Sequence, residues 1–234
     1  MVKETETKIK EIIPRTHNVK SFRLEVKEAI DFKAGQFLSV TLKADKDLTR
    51  YLSISNSPTE NGYIEFTKKI TESDFSRMLD KLKPGDRLII KYPYGTFTFE
   101  GEYEKIAFLS GGIGITPIRS ITKYIVDKAL DTDIVLIYAN RSIKDIAFKD
   151  DFDVMQKQDS RFKIVHILSQ AQAGWLGRTG HINGQIIKEE ITDYVERRFY
   201  ICGPPLMVEA MRRILLDDLT LPKENIVTEN FVGY

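Results

Sequence analysis

The sequence predicts an N-terminal antiparallel β-barrel followed by a C-terminal α/β domain built on a five-stranded parallel sheet. Three observations carry that reading. Hydrophobicity alternates with period two in short runs up to about residue 100, turn dipeptides such as Asn61-Gly62 and Pro84-Gly85 separate those runs, and after residue 104 apolar strands alternate with amphipathic helical stretches. A length of 234 residues suits two domains, with limits expected at 1–100 and 105–234.

In the first domain the alternating runs are Lys20 to Val26, Gln36 to Leu42, Arg50 to Ser55, Tyr63 to Lys69 and Arg87 to Lys91. Successive strand side chains face opposite ways, so each run offers one face to a barrel interior. A single helix is expected at Asp74 to Lys81. In the second domain the strands are Lys105 to Ser110, Asp133 to Ala139, Phe162 to Ser169, Arg198 to Cys202 and Asn225 to Glu229. Their near-continuous apolar character fits a parallel sheet covered by helices on both faces. In the last helix Leu206, Ala210, Ile214 and Leu215 recur at helical spacing and read as core.

Composition narrows the function classes. Thirty-five basic and 34 acidic residues are interspersed, with a formal net charge of +1, so no basic face for nucleic acid is implied. Met1 to Glu6 holds no apolar leader and no later stretch approaches the ~20 apolar residues of a bilayer helix. No membrane insertion is expected, and a cytoplasmic location is the default expectation. Cys202 is the sole cysteine, which leaves no thiolate set for zinc or an iron-sulfur cluster, and no metal site is expected.

The first chemical signal follows the strand that ends at Ser110. Gly111-Gly112-Ile113-Gly114-Ile115-Thr116-Pro117 leads into an apolar-periodic helix. Glycines let backbone approach a pyrophosphate, Thr116 can cap, and Pro117 suits a first helical turn. The same residues also suit a tight strand-to-helix turn with no ligand. A dehydrogenase of the Rossmann type would have a third glycine where Pro117 stands and an acid closing the next strand. That strand instead runs Tyr138-Ala139-Asn140-Arg141.

Further motifs then come in a definite order. Arg50-Tyr51-Leu52-Ser53, Ser73-Asp74-Phe75-Ser76, Gly112 to Pro117, Cys202-Gly203-Pro204-Pro205 and Glu229-Asn230-Phe231 together make the chain resemble the ferredoxin-NADP reductase superfamily over almost its whole length. The resemblance implies a flavin-binding barrel, a nicotinamide-binding α/β domain, and FAD with NADH or NADPH as cofactors. Arg50 would neutralise the FAD pyrophosphate, for which a guanidinium fork is well shaped. The helix opened by Ser73, Phe75 and Ser76 would meet the same group, and Thr67 and Lys68 would run beside the ribityl chain by backbone contact. Tyr51 and Leu52 would lie beside the ring system, and Ser53 near flavin N5.

Cys202, Gly203 and Pro204 would lie against the nicotinamide, with Gly112, Gly114, Thr116, Pro117, Asn140 and Arg141 along the dinucleotide. Glu229 and Phe231 would cover the outer flavin face, with Tyr234 a rival to Phe231 for stacking. Ser53, Cys202 and Glu229 are the implied catalytic set.

The sequence departs from the family at Leu52, where a tyrosine usually lies on the flavin; Tyr51, one position earlier on a strand, faces the other way. Weaker flavin retention is the expected consequence. Ser169-Gln170 stands where NADP-selective relatives carry serine-arginine, so NADH preference or mixed use is expected, with Arg141 able to supply one charge. Three functions remain open at this stage: an electron-transfer reductase serving a ferredoxin, flavodoxin or oxygenase component; a reductase of free FMN or FAD, favoured by Leu52 and by the run Ala173 to Gly180; and a nucleotide-binding regulatory subunit without turnover.

Overall fold

The computed structural model describes residues 2–26, 30–170 and 173–231. The first sheet holds β1 (Lys3–Pro14), β2 (Val19–Glu25), β3 (Phe37–Leu42), β4 (Leu48–Ser53), β5 (Tyr63–Lys69) and β6 (Arg87–Tyr94), in the order β4-β3-β6-β1-β2-β5. Neighbours pair antiparallel. Just beyond β4, Ile54 bridges to Phe66 of β5, and the Ser55 amide donates to the Glu65 carbonyl at 2.8 Å. That contact closes the barrel and removes its open edges. Inside, the Phe22 and Phe66 rings stack at 5.1 Å.

β1 was not expected from the sequence. Of its twelve residues only Ile9 is buried, so hydrophobic alternation does not mark it. It nonetheless joins two neighbours, since residues 3–8 pair with β6 and residues 9–14 with β2, with a register shift between Ile9 and Glu11. A bulge of this kind bends a strand from one pairing partner to the next. The expected helix is α1 (Asp74–Asp80); the Ser73 hydroxyl caps it, accepting from the Ser76 amide at 3.3 Å, and Phe75 and Leu79 are buried against the barrel core.

The second sheet is parallel throughout, in the order β10-β9-β8-β7-β11-β12. Its strands are β7 (Lys105–Gly111), β8 (Asp133–Asn140), β9 (Phe162–Leu168), β10 (Arg178–Thr179), β11 (Arg198–Gly203) and β12 (Ile226–Asn230). The five expected strands are present, and the two-residue β10 adds a sixth at the edge. Helices α2 (Ile115–Lys128), α3 (Lys149–Gln158), α4 (Gly184–Glu190) and α5 (Pro205–Arg213) connect them. Strand order reverses on either side of β7, which has β8 on one side and β11 on the other. Open parallel sheets bind ligands at the carboxyl end of such a switch point, where the Gly111-Gly112 turn lies.

The expected core stripe of the last helix holds in part: Leu215 is fully buried and Ile214 packs against the same core. Leu206 is 87% exposed, and it is Val208, Met211 and Leu215 that pack on the sheet. Val208, Met211 and Leu215 recur at helical spacing and seat the helix, leaving Leu206 and Ala210 along a cleft wall that Ile214 also reaches.

Candidate functional site

The ends of β4 and β5 face the start of α2 and the end of β12 across a cavity of about 300 Å³. Arg50, Tyr51, Leu52 and Ser53 come from β4, Thr67 and Lys68 from β5, Thr116 from α2, and Glu229 and Phe231 from the last strand and its end. Nine residues singled out by the sequence thus meet in one hollow. Phe37 and Asn230 also line it and were not anticipated.

Strand geometry decides what each β4 residue does. Leu52 is 8% exposed and packs into the barrel core, whereas Tyr51 is 67% exposed. The two point apart, as period-two alternation requires. Tyr51 instead meets Phe37 and Tyr94 edge-on, with centroids at 5.8 and 5.9 Å. Arg50 donates to the Thr49 carbonyl at 2.8 Å, and its guanidinium lies 5.7 Å from the centre of the Phe75 ring. Ser73, Phe75 and Ser76 therefore stand behind Arg50 and do not line the cavity. Phe75 and Ser76 are fully buried, and Ser73 is occupied as the cap of α1.

The polar groups of the cavity identify what fits there. Among the described residues, Ser53 Oγ and Glu229 Oε2 are buried without a hydrogen-bond partner. A buried polar atom left unpaired costs about 1 to 3 kcal/mol, so both call for a polar ligand atom. Burial pushes the Glu229 carboxyl up to about 7. The Lys68 ammonium is pushed down to about 8, first by burial and then by the nearby charges of Arg50 and Lys69. Two cationic side chains on one wall, apolar Leu52, Phe37 and Phe231 on others, and unpaired polar atoms between them match a flat heteroaromatic ring carrying an anionic tail. FAD has that chemistry.

A second cleft, of about 620 Å³, opens at the carboxyl end of the parallel sheet. Gly112, Asn140, Arg141 and Pro204, four of the residues singled out in the sequence, line it, and His17, Asn18 and Lys69 reach into it from the barrel. The last three were not anticipated, because nothing local in the sequence shows a barrel loop crossing to the other domain. Gly112 has φ +53° with open space where a Cβ would stand, which keeps its backbone accessible to a ligand. The Tyr138 hydroxyl holds it, donating to the Gly112 carbonyl at 2.9 Å.

Gly114 is required for a different reason: a Cβ there would sit 2.3 Å from the Cys202 carbonyl oxygen. Thr116 does not cap α2; its hydroxyl donates to the Ile113 carbonyl at 3.1 Å, and α2 starts without a side-chain cap. Pro117 is buried in the first turn of α2.

Cys202 lines neither hollow. It is fully buried, pairs with Glu229 across β11 and β12, and its thiol is raised well above its ordinary range by burial and then by Glu229. Gly203 lies beside it, buried, and its carbonyl accepts the Phe231 amide at 3.1 Å, which fixes where Phe231 enters the cavity. Tyr234 lies outside the described residues. No cluster of potential metal ligands occurs among the described residues, and no helix there is long and apolar enough to cross a membrane.

A closed barrel and a parallel sheet with adjoining hollows define the class: a two-domain fold that binds a flavin beside a nicotinamide dinucleotide. Residues 6–99 match the family model of an oxidoreductase FAD-binding domain and residues 108–213 that of an oxidoreductase NAD-binding domain. The chain belongs to the ferredoxin-NADP reductase superfamily of NAD(P)H-dependent flavoprotein oxidoreductases, with FAD and NADH or NADPH as cofactors.

It is 31% identical over 220 residues to NADH-cytochrome b5 reductase 2 of Mycosarcoma maydis, covering 87% of this chain and 62% of that protein. It is 30% identical over 207 residues to NADH-cytochrome b5 reductase 1 of Mortierella alpina, covering 86% and 69%. The chain thus spans roughly two thirds of the length of these relatives. The cytochrome b5 reductase domain of Ulva prolifera nitrate reductase shares the fold at a TM-score of 0.87 and 23% identity, over 97% of each chain.

Proposed function

We propose that this chain moves a hydride from NADH to FAD and passes the electrons to a separate acceptor protein. FAD, when bound, supplies a centre that accepts two electrons together and releases them singly. In this reading residues 1–100 hold FAD and residues 105–234 hold the nicotinamide dinucleotide. Arg50 binds the flavin's anionic tail, with α1 behind it, and the backbone at Thr67 and Lys68 borders the ribityl chain.

Ser53, whose buried hydroxyl has no partner of its own, would supply a hydrogen-bond donor to the flavin ring, a group that stabilises developing negative charge. Phe231 would cover the flavin site against water, and Glu229, raised to about 7 by burial, would hold or release a proton at the same wall. Gly112, Asn140, Arg141 and Pro204 grip the dinucleotide, while Gly114, Pro117 and Gly203 shape the turn against β11. Cys202 backs the nicotinamide position without entering either hollow.

The observation that carries this reading is the pair of orphaned buried atoms, Ser53 Oγ and Glu229 Oε2, in a cavity shared with Thr116 of the glycine-turn helix. Preference for NADH is supported by Ser169-Gln170, which offers no second guanidinium beside Arg141 for a 2′-phosphate. The relatives named NADH-cytochrome b5 reductase agree with that cofactor and make a small haem protein one acceptor class to test, beside ferredoxin, flavodoxin and oxygenase components.

A second reading, reduction of free FMN or FAD, is favoured by Leu52, which presents an aliphatic side chain where relatives stack a tyrosine. Anaerobic titration with NADH tests the first: a flavin-loaded protein should bleach with one equivalent. Protein that stays colourless after incubation with excess FAD overturns it. A flavin dissociation constant above micromolar would transfer the conclusion to the free-flavin reading.

A further inference from the structure

We propose that Arg119 is a positioning residue for hydride transfer, fixing the first turns of α2 against the barrel segment that carries Ser53. This inference rests on the function proposed above. Arg119 lies on α2, one turn beyond Thr116, and is 5% exposed. Its Nη1 donates to the Ser55 carbonyl at 3.2 Å and to the Glu60 carboxylate. Its Nη2 donates to Glu60 Oε1 at 3.1 Å and to Asp151 Oδ2 at 2.9 Å, and its Nε donates to Asp151 Oδ2 at 3.0 Å. A guanidinium has five N–H bonds, and five acceptor contacts are made.

The acceptors come from two places. Ser55 and Glu60 belong to the barrel, between β4 and β5, and Asp151 belongs to α3. Asp151 also meets Arg15, the residue just after β1, at 3.4 Å, and Arg15 reaches the buried Glu65 of β5 at 3.4 Å. The Ser55 hydroxyl donates to Glu65 at 2.8 Å. Beside Arg119, the Ser120 hydroxyl donates to the Asn56 carbonyl at 2.7 Å. Two consecutive residues of α2 thus hold two consecutive backbone carbonyls of the barrel.

Those contacts lie next to both reaction partners. Ser53, two residues before Ser55, and Thr116, three residues before Arg119, both line the flavin cavity. Three residues of helix rise about 4.5 Å, so the grip sits one turn from the cavity wall. Buried ion pairs are weak sources of stability compared with apolar packing, but a fully bonded guanidinium permits only one relative placement of its partners. A displacement of about 1 Å between reacting groups can lower a rate about 100-fold.

The test uses the FAD-loaded full chain with two variants. R119K keeps the charge and loses the fork; R119M/E60Q/D151N removes charges together, so that no carboxylate is left buried against an apolar side chain. Each is measured for FAD dissociation constant, for single-turnover flavin reduction at saturating NADH, and for the long-wavelength charge-transfer absorbance of stacked nicotinamide and flavin. The expected result is FAD affinity within about threefold of wild type, with reduction slowed about 10- to 100-fold and the charge-transfer band diminished. Wild-type reduction rates in either variant overturn the proposal. Loss of FAD from both variants also overturns it, since Arg119 would then serve the fold alone. Failure of the wild-type protein itself to be reduced by NADH is the distinct outcome that removes the underlying function and the proposal with it.

Discussion

Replacing Glu229 with Gln removes a carboxyl that burial pushes from 4.5 up to about 7. The folded protein therefore binds that proton more tightly than the unfolded chain does. For an acid whose folded value is raised, the associated stability is complete below the unfolded value and is lost as pH rises through the folded one. The window here runs from about 4.5 to about 7. At 1.36 kcal/mol per unit of displacement, ionising Glu229 in its buried site takes about 3 kcal/mol from the folded state by pH 8.

Urea unfolding of flavin-free wild type and E229Q, at pH 5 and at pH 8, isolates this contribution, because every other titrating group is common to both. The difference between the two proteins should change by about 2.5 kcal/mol between the two pH values, in favour of E229Q at pH 8. A difference that stays constant within about 0.5 kcal/mol would show that Glu229 is ionised at little penalty and is not poised near neutrality.

Three further outcomes are expected. Arg50→Ala should weaken FAD binding by roughly 1.5 to 3 kcal/mol, the range of a charge-assisted contact, as read by titration of flavin fluorescence; unchanged affinity would remove Arg50 from the site. Gly114→Ala should destabilise the protein by about 1 to 3 kcal/mol or more in thermal unfolding, because its methyl group would meet the Cys202 carbonyl. His166 is pushed down to about 4 by burial and by Lys149, so its neutral form is favoured in the fold and stability should fall as pH drops from 6.5 through 4. His166→Leu should flatten that acid limb, and an unchanged acid midpoint would count against it.

Much of the fold is legible in the sequence because its signals are local. Apolar runs mark β7, β8, β9 and β11, and Ser73 marks the start of α1 through its own hydroxyl. The cavity residues on β4 are equally legible, since alternation alone separates Leu52 from Tyr51. What stays hidden is set by distance along the chain. β1 is mostly exposed and gains its place from two partners, and β10 is too short for any pattern. The α5 stripe had two acceptable phases, and only docking on the sheet chose Val208 and Met211 over Leu206. Arg119 finds partners 32, 59 and 64 residues away, and no motif marks such a cluster.

The glycine turn joins the two hollows mechanically as well as chemically. Gly112 opens toward the cleft at the carboxyl end of the parallel sheet, whereas Thr116, four residues on, lines the cavity beside β4 and β5. Between them Gly114 is pressed so closely on the Cys202 carbonyl that no side chain fits. Cys202 in turn is paired with Glu229, and the Gly203 carbonyl holds the Phe231 amide. A shift of the turn would therefore move β11 and the cavity's far wall with it. On the proposed function, substitutions at Gly114 should disturb nicotinamide and flavin binding together, where those at Arg50 disturb flavin alone.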